Sequence, residues 1–389
     1  MYDYFPSVGG AQFQTHFLSE ELINKGHNVT VYANSNQVRL CNKYGFQHNY
    51  ELKGVKCPPE VIIKRSQRFW LYLLGKKFKD LALQDDLEIL QLIMAWPWLP
   101  VANIIKNIGV PITIRSGGED IQINKSLNYG VWRDKVRTTL LYNGFKSISK
   151  AISISSTITK EYINFGVPLD RIVEINPGIN YNIFKSYMIK ISHVRSKWKI
   201  PIDKDVIITV GRNHPKKGFI DLIRSLKILN KNNNKYVIVI VGDNCRELIP
   251  EAKKINQEDN FIPIELKNNN FSKINNIPSQ ELIQLYKASD YFVLPSYIEG
   301  YPNVTLEAAA AGIPVIVTDA PGCRDAVDDG VDGLIVPIRS PDKIAESILR
   351  LGNDLGLREK IIMNGKRKAE KQDWDNVALQ YLQVYESLI

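Results

Sequence analysis

Two loops of this 389-residue chain combine residue types suited to holding a phosphate ester. The first, Gly211-Arg-Asn-His-Pro-Lys-Lys-Gly218, follows an apolar, β-branched run at 206–210. Arg212 offers a bidentate fork and Lys217 a point charge, each worth on the order of 1.5–3 kcal/mol when bonded to a charged oxygen. Taken alone, the loop also reads as a polar turn with solvated cations. The second, Pro295-Ser-Tyr-Ile-Glu-Gly-Tyr-Pro-Asn-Val-Thr-Leu-Glu307, follows the apolar run 291–294. Gly300 permits close backbone approach, and Pro302 suits the first turn of a helix. The amides of Asn303, Val304 and Thr305 are then free donors at a helix N-terminus, which is an anion site. Glu307 sits about one turn inside, placed to accept hydrogen bonds from a sugar diol beside that anion. Glu299 in the loop, an amide-lined helix start and Glu307 together describe a pocket for a sugar diphosphate. A capping acid plus a surface glutamate is the plainer alternative.

Such loops need strands to aim them, and the elements alternate in both halves. In the first half, 11–25 reads as a helix with Phe13, Phe17, Leu18 and Leu22 on one side, closed by Gly26. Strands are expected at 28–33, 112–114, 151–154 and 171–175, with a helix around 132–145. Asn176-Pro-Gly-Ile-Asn180 breaks the pattern and marks a boundary between a domain at 1–180 and one at 181–370. The second half alternates strands at 206–210, 236–241, 291–294, 314–317 and 334–336 with helices at 219–229, 280–288 and 303–311. Continuous β-branched strands between helices mean parallel sheets covered on both faces. The expected fold is α/β: two doubly wound, Rossmann-like domains facing across a cleft, with ligands beyond the carboxyl ends of the strands. Residues 371–389 form a last helix that is expected to pack back on the first domain. One element is missing. Residues 1–10 hold a Gly-Gly loop leading into a helix, yet no strand feeds it, so the chain is expected to start one strand late.

Hydrophobic residues at 44% and charged residues at 23% are ordinary for a globular protein and exclude disorder and coiled coil. The net charge of +9 admits nucleic acid, an anionic membrane or an anionic small molecule as partner. It is unevenly spread: residues 1–185 hold 22 Lys+Arg against 15 Asp+Glu, a balance of +7, which leaves +2 for the rest. Lys64, Arg65, Arg68, Lys76, Lys77 and Lys79 interleave with Phe69, Trp70, Leu71, Tyr72, Leu73 and Leu74 on one expected helix. That mixture suits the headgroup layer of an anionic membrane through residues 64–79. A solvated face over a core stripe is the other reading. Cys41, Cys57, Cys245 and Cys323 form no C-x-x-C pair, which fits a reducing cytosol and argues against a zinc site. No apolar stretch approaches the ~20 residues of a membrane span, and with no basic stretch and apolar core in its opening residues no leader is expected. The expectation is a cytoplasmic protein, peripheral to the inner face of the plasma membrane if the patch is used.

The segment from Glu299 to Glu307 has the E-x7-E form of retaining glycosyltransferases of the GT-B fold, and the chain most resembles glycosyltransferase family 4. Ordered pieces along the whole chain carry the resemblance. They are Tyr4-Phe-Pro-Ser-Val-Gly-Gly-Ala-Gln12, Gly26-His-Asn-Val-Thr-Val31, Gly211-Arg212 with Lys217-Gly218, and Glu307-Ala-Ala-Ala-Ala-Gly-Ile-Pro-Val315. Gly322-Cys-Arg-Asp325, Asp329-Gly-Val-Asp-Gly-Leu334 and a closing Trp374 complete the set. The resemblance implies a retaining, metal-independent transferase with no cofactor, moving a sugar from a nucleotide donor, UDP favoured, to a saccharide or lipid-linked acceptor in capsule, O-antigen or lipopolysaccharide synthesis. It implies that Arg212 and Lys217 hold the diphosphate, that Glu307 binds the ribose and that Glu299 contacts the donor sugar. Gly300, Tyr301, Asn303 and Val304 would complete the donor site, with Gly9 and Gly10 bringing the first domain's loop close to the diphosphate. Positive charge would then sit where negative charge develops on the leaving group.

The chain departs from the family pattern in two ways. The usual strand before the Phe-Pro loop is missing, and Gly117 stands where many members carry a histidine, in Arg115-Ser-Gly-Gly-Glu-Asp120. Arg115 or Asp120 is left as the acceptor-side polar contact. Two D-x-D triplets, Asp203-Lys-Asp205 and Asp373-Trp-Asp375, lie before a strand and at a helix start and are not expected to bind metal. An epimerase or phosphorylase of the same scaffold is the alternative enzyme; a phosphorylase would need a lysine-linked cofactor. A nucleic-acid binder leaves the two loops unexplained.

Overall fold

A computed structural model of the chain describes residues 1, 4–6, 9–130, 134–266 and 278–389. They form two compact units, Met1–Gly178 with Trp374–Ile389, and the described residues from Ile179 to Asp373. The expected start of the 132–145 helix, and Ser7 and Val8 of the Phe-Pro loop, lie outside the described residues.

In the first unit, β1 (Thr30–Asn34) pairs in parallel with β2 (Glu51–Val55), Thr30 opposite Glu51. A separate parallel sheet runs in the order β3 (Leu90–Ile93), β4 (Ile112–Arg115), β7 (Lys150–Ser153), β8 (Ile172–Glu174). Between β4 and β7 the chain makes a small antiparallel pair, β5 (Ile123–Asn124) with β6 (Tyr129–Gly130). β2 and β3 were not anticipated: β2 is half polar with only its last residue buried, and β3 has only four residues, too few to show a period. The single helix expected over 61–80 is two, Glu60–Arg65 and Gln67–Ala82. Ser66 is extended between them and its hydroxyl accepts from the Phe69 amide at 3.3 Å, an N-cap that restarts the helix.

The last helix, Trp374–Glu386, packs on the first, Gly10–Asn24. Phe17 stacks on Trp374 with centroids 5.9 Å apart, and Leu18, Leu22, Val377 and Tyr381 share a buried cluster with Ile152 and Ile175. A Cβ on Gly178 would come within 2.5 Å of the Trp374 ring, so only glycine lets the chain pass that indole.

The second unit holds one parallel sheet in the order β11 (Phe261–Ile264), β10 (Tyr236–Val241), β9 (Asp205–Val210), β12 (Tyr291–Leu294), β13 (Val315–Thr318), β14 (Leu334–Val336). Counted from β9, that is 3-2-1-4-5-6, the doubly wound order. Val237, Ile238, Val239 and Ile240 of β10 are fully buried, as a strand covered on both faces demands. Helix Phe219–Leu229 lays Phe219, Leu222, Ile223 and Leu226 into the same core. Burying each such side chain contributes roughly 1.5–3 kcal/mol. The strand order reverses between β9 and β12, and both candidate loops leave the sheet there. Among the described residues, no helix is long and apolar enough to cross a membrane.

Candidate active site at the switch point

The loop after β9 turns through a short 3-10 helix, Pro215–Lys217, and ends on Gly218 with φ +63°. A Cβ on Gly218 would lie 2.0 Å from the Pro295 carbonyl oxygen, so this glycine is what allows the two loops to touch. The Tyr297 amide donates to the Lys216 carbonyl at 2.7 Å, and the Tyr297 hydroxyl donates to Asp221 at 2.6 Å. These bonds fix the lysines against the loop that carries Glu299.

Glu299 is the hub. The residue is 7% exposed, and its carboxylate takes Lys217 Nζ at 2.6 Å on one oxygen and Lys216 Nζ at 3.3 Å on the other. The Ser296 hydroxyl adds a bond at 2.9 Å. Burial alone would raise this carboxyl; the two ammonium groups and the hydrogen bonds outweigh it and hold it down at about 2. Gly322, at φ +80°, backs the loop: a Cβ there would come 2.0 Å from the Glu299 carbonyl oxygen. Arg212 sits on the same loop as the lysines with an exposed side chain, outside the Glu299 cluster. Gly300 and Tyr301 are buried, and the Tyr301 hydroxyl points to Gln372 at 3.4 Å.

Helix Asn303–Ala311 starts as expected, but Pro302 is its N-cap, one residue earlier than its expected place in the first turn. The Thr305 amide donates to the Pro302 carbonyl at 3.0 Å, which removes it from the set of free donors. Asn303 and Val304 keep first-turn amides that have no intrahelical acceptor. Glu307 accepts from the Tyr286 hydroxyl at 2.9 Å, and burial pushes its carboxyl up to about 7 against that bond. Two carboxylates eight residues apart are thus driven in opposite directions, one by cations and one by desolvation.

Lys216, Ser296 and Tyr286 were absent from the expected set. The Lys-Lys doublet and the serine three residues before Glu299 were readable signals for the first two. Tyr286 lies on another helix, and nothing local ties it to Glu307.

In the first unit, Gly10 opens the helix after the Gly-Gly loop and Gly9 is its extended N-cap. Asp120 accepts from the amides of Ala95 at 2.7 Å, Gly117 at 3.0 Å and Gly118 at 2.9 Å, so it ties together the loops after β3 and β4. Arg115 is 4% exposed and reaches the Tyr381 hydroxyl of the last helix. A Cβ on Gly117 would come 3.1 Å from the Met94 sulfur, and a histidine there would displace Met94. Three of the four D-x-D acids have structural partners: Asp205 pairs with Lys235 at 3.0 Å, Asp373 accepts from the Tyr181 amide, and Asp375 pairs with Lys25.

A doubly wound sheet with cations and a helix start at its switch point defines an α/β protein whose loops have the chemistry to hold an anion. Comparison with known proteins narrows the class. Residues 8–182 match the family model "Glycosyltransferase Family 4", and residues 191–368 match "Glycosyl transferases group 1". An uncharacterized glycosyltransferase of Methanocaldococcus jannaschii is 33% identical over 395 residues, covering 97% of this chain and 94% of that protein. The capsular polysaccharide biosynthesis glycosyltransferase CapM of Staphylococcus aureus is 30% identical over 224 residues, 57% of each chain. HepE of Anabaena, solved in complex with UDP, superimposes with a TM-score of 0.80 at 19% identity, over 100% of this chain and 99% of that one. The chain belongs to glycosyltransferase family 4. It is a glycosyltransferase of the GT-B fold.

Proposed function

We propose that the chain is a retaining, metal-independent transferase that moves a sugar from a nucleoside diphosphate, UDP in the first instance, to a saccharide or lipid-linked acceptor of a cell-surface polysaccharide. The observation that carries this reading is the buried Glu299 cluster with Lys216, Lys217 and Ser296 at the switch point. HepE's complex with UDP and the capsule role in CapM's name support the choice of donor and product class. In this reading the diphosphate enters beside Glu299 and draws Lys217 and Arg212 onto its oxygens. The Asn303 and Val304 amides add donors, and Glu307 takes the ribose diol. The cations stabilise the charge that grows on the departing nucleotide, the role a metal plays elsewhere. Glu299, released from Lys217, is then free to accept from donor-sugar hydroxyls. Asp120 acts by positioning the loops at the ends of β3 and β4. A screen of sugar nucleotides for nucleotide release tests the reading, with turnover of one UDP-sugar expected. Turnover that is unchanged in both Lys217→Ala and Glu307→Ala would remove the site assignment.

Glu307 makes donor binding depend on pH. A ribose diol donates to a carboxylate, so the site binds best above about 7, where Glu307 is ionised. UDP affinity is expected to rise between pH 6 and pH 8. Glu307→Gln should flatten that slope and weaken binding by roughly 10- to 100-fold, the worth of one or two bonds to a charged acceptor. Stability runs the other way. The folded carboxyl lies above its usual 4.5, so its contribution is whole below pH 4.5 and is lost as pH rises through about 7. Isothermal titration across that range checks the first point; a flat wild-type profile would sink it.

The basic patch bears on the acceptor. Trp70, Leu71, Leu74 and Phe78 of helix Gln67–Ala82 are buried, while Phe69 and Tyr72 are half exposed beside exposed Arg68 and Lys76. That face suits the surface of an anionic membrane, where a lipid-linked acceptor resides. The chain should sediment with vesicles rich in anionic phospholipid and not with neutral ones. Each neutralised lysine or arginine should cost about 1 kcal/mol, roughly fivefold. Equal binding to neutral vesicles, or none to either, would remove the membrane from this reading.

A further inference from the structure

The acceptor-side candidates named from the sequence are both committed to structure, Asp120 to three loop amides and Arg115 beneath the last helix. The sheet edge they occupy holds other polar groups. β3 and β4 run parallel, so the loops after Ile93 and Arg115 leave from one edge. Helix Gln67–Ala82 leads into β3, and helix Lys135–Phe145 leads into β7, which is parallel to β4. Each helix runs back against its strand and therefore starts at that same edge. In an open α/β sheet, the carboxyl edge is where ligands bind.

Four residues meet there. Trp96, half-buried in the loop after β3, carries the Arg137 guanidinium over its ring at 4.5 Å. Asp134 caps helix Lys135–Phe145 by accepting from the Arg137 amide at 3.0 Å, and its second oxygen lies 3.3 Å from Arg137 Nε. Gln67 donates to that second oxygen at 2.8 Å. The guanidinium is thus held by an indole and by a carboxylate at Nε, while its two terminal nitrogens have no partner among the described residues. Gln67 Oε1 is buried and also lacks a partner. Burial pushes the Asp134 carboxyl up, but the bonds from Gln67 and the Arg137 amide, with the Arg137 charge, outweigh it and hold the group below its ordinary value. Asp134 therefore stays ionised and offsets one cation. Arg68 and Lys135, the next residues along from Gln67 and Asp134, are exposed cations in addition.

The unmet groups call for two kinds of partner. The paired N–H groups of a guanidinium match two oxygens of a phosphate or carboxylate. An orphaned amide carbonyl needs a donor, which an ionised oxyanion lacks and a sugar hydroxyl supplies. Gln67 and Arg137 both approach one oxygen of Asp134, so a single sugar with an oxyanion attached can span them. We propose that Trp96, Arg137 and Gln67 form an acceptor subsite, and that the acceptor is a saccharide carrying an oxyanion, either a phosphate or a carboxylate. Arg137 takes the oxyanion, Gln67 takes a hydroxyl of the same sugar, and Trp96 positions the guanidinium. The inference rests on the proposed transferase reading. Gln67 also precedes exposed Phe69 and Tyr72 on one helix, which sets the subsite beside the face assigned to the membrane.

The test reads binding rather than turnover, by tryptophan fluorescence and calorimetry on the full chain, with UDP present to fill the donor loops. Glucose 1-phosphate and glucuronate should bind at least about tenfold more tightly than methyl glucoside, as a charge-assisted hydrogen bond implies. The tighter of the two anions tells a phosphate from a carboxylate. Arg137→Gln should erase the preference and Arg137→Lys should keep part of it. Gln67→Leu should bring glucose 1-phosphate down to the affinity of inorganic phosphate. The fluorescence change should vanish in Trp96→Phe. No preference for the anions in the wild type, or an unchanged preference in Arg137→Gln, would overturn the subsite. So would loss of anion binding in Lys217→Ala, which would place the probes at the donor loops. UDP binding without anion preference leaves the transferase reading standing and removes only the subsite. Anion binding that depends on Arg137, in a chain that binds no nucleotide, upholds the subsite and removes the donor reading instead.

Discussion

Lys217→Ala is expected to lower kcat/KM by on the order of 10²–10³-fold, with most of the loss in kcat. The ammonium is already held beside Glu299, and in the proposed reading it moves from there onto the diphosphate oxygens. It lies 2.6 Å from Glu299 and over Gly211, whose missing side chain leaves room for it, a Cβ there lying 3.5 Å from Nζ. Once passed from Glu299 to the bound diphosphate, the ammonium stabilises the charge that grows on the leaving group, so its loss falls on the chemical step. Lys216→Ala should cost less, because Lys216 meets the other oxygen of Glu299 at 3.3 Å and leaves Lys217 in place. Steady-state kinetics on an accepted sugar nucleotide reads both. Wild-type kcat in Lys217→Ala would show that the leaving-group charge is met by other groups.

The second large effect is on stability. Glu299→Ala leaves two ammonium groups side by side, each with less than a fifth of its side chain exposed, and strips the Ser296 hydroxyl of its acceptor. Removing one partner of a buried ion pair costs about 3–5 kcal/mol, and residual solvent around the lysines puts this case at the lower end. A unit of this size should lose roughly 6–10 °C in Tm. A diphosphate supplies the missing negative charge, so UDP should raise the Tm of this variant by more than it raises that of the wild type. The acid limb should change too. The folded Glu299 carboxyl, at about 2, lies below its usual 4.5. Its stabilisation is therefore present above pH 4.5 and is lost as pH falls towards 2. Thermal melts from pH 6 to pH 3 should show a shallower decline in Glu299→Ala. An identical decline in both proteins would falsify the ion-pair account.

How much was readable beforehand depended on whether the signal was local. β9 and β10 are unbroken β-branched runs, and the glycine turn and E-x7-E segment follow strands directly, so their place at a sheet's carboxyl edge followed from order along the chain. β2 and β3 are short or half polar and take their strand character from partners far away in sequence. Ser66 divides a helix that periodicity alone made continuous, because a capping bond competes locally with helix propagation. Thr305 was counted as a free donor because its bond to Pro302 depends on how the chain enters the helix.

Residue order alone was enough to determine the α/β class, the two-unit plan, the glycosyltransferase resemblance and the two loops that carry the site. Each rests on periodicity or on motifs whose spacing is counted along one strand, loop or helix. Tertiary structure decided which charges meet. It set Lys216 and Lys217 on Glu299 across 83 and 82 residues of sequence, and put Tyr286 on Glu307 from a neighbouring helix. It also spent Asp120 on three loop amides and buried Arg115 under the last helix. Protonation states follow from those meetings, because burial and neighbouring charge are properties of packed surroundings that no residue carries by itself. The sequence placed two glutamates eight residues apart; only packing made one a permanent carboxylate and the other a group that titrates near neutrality.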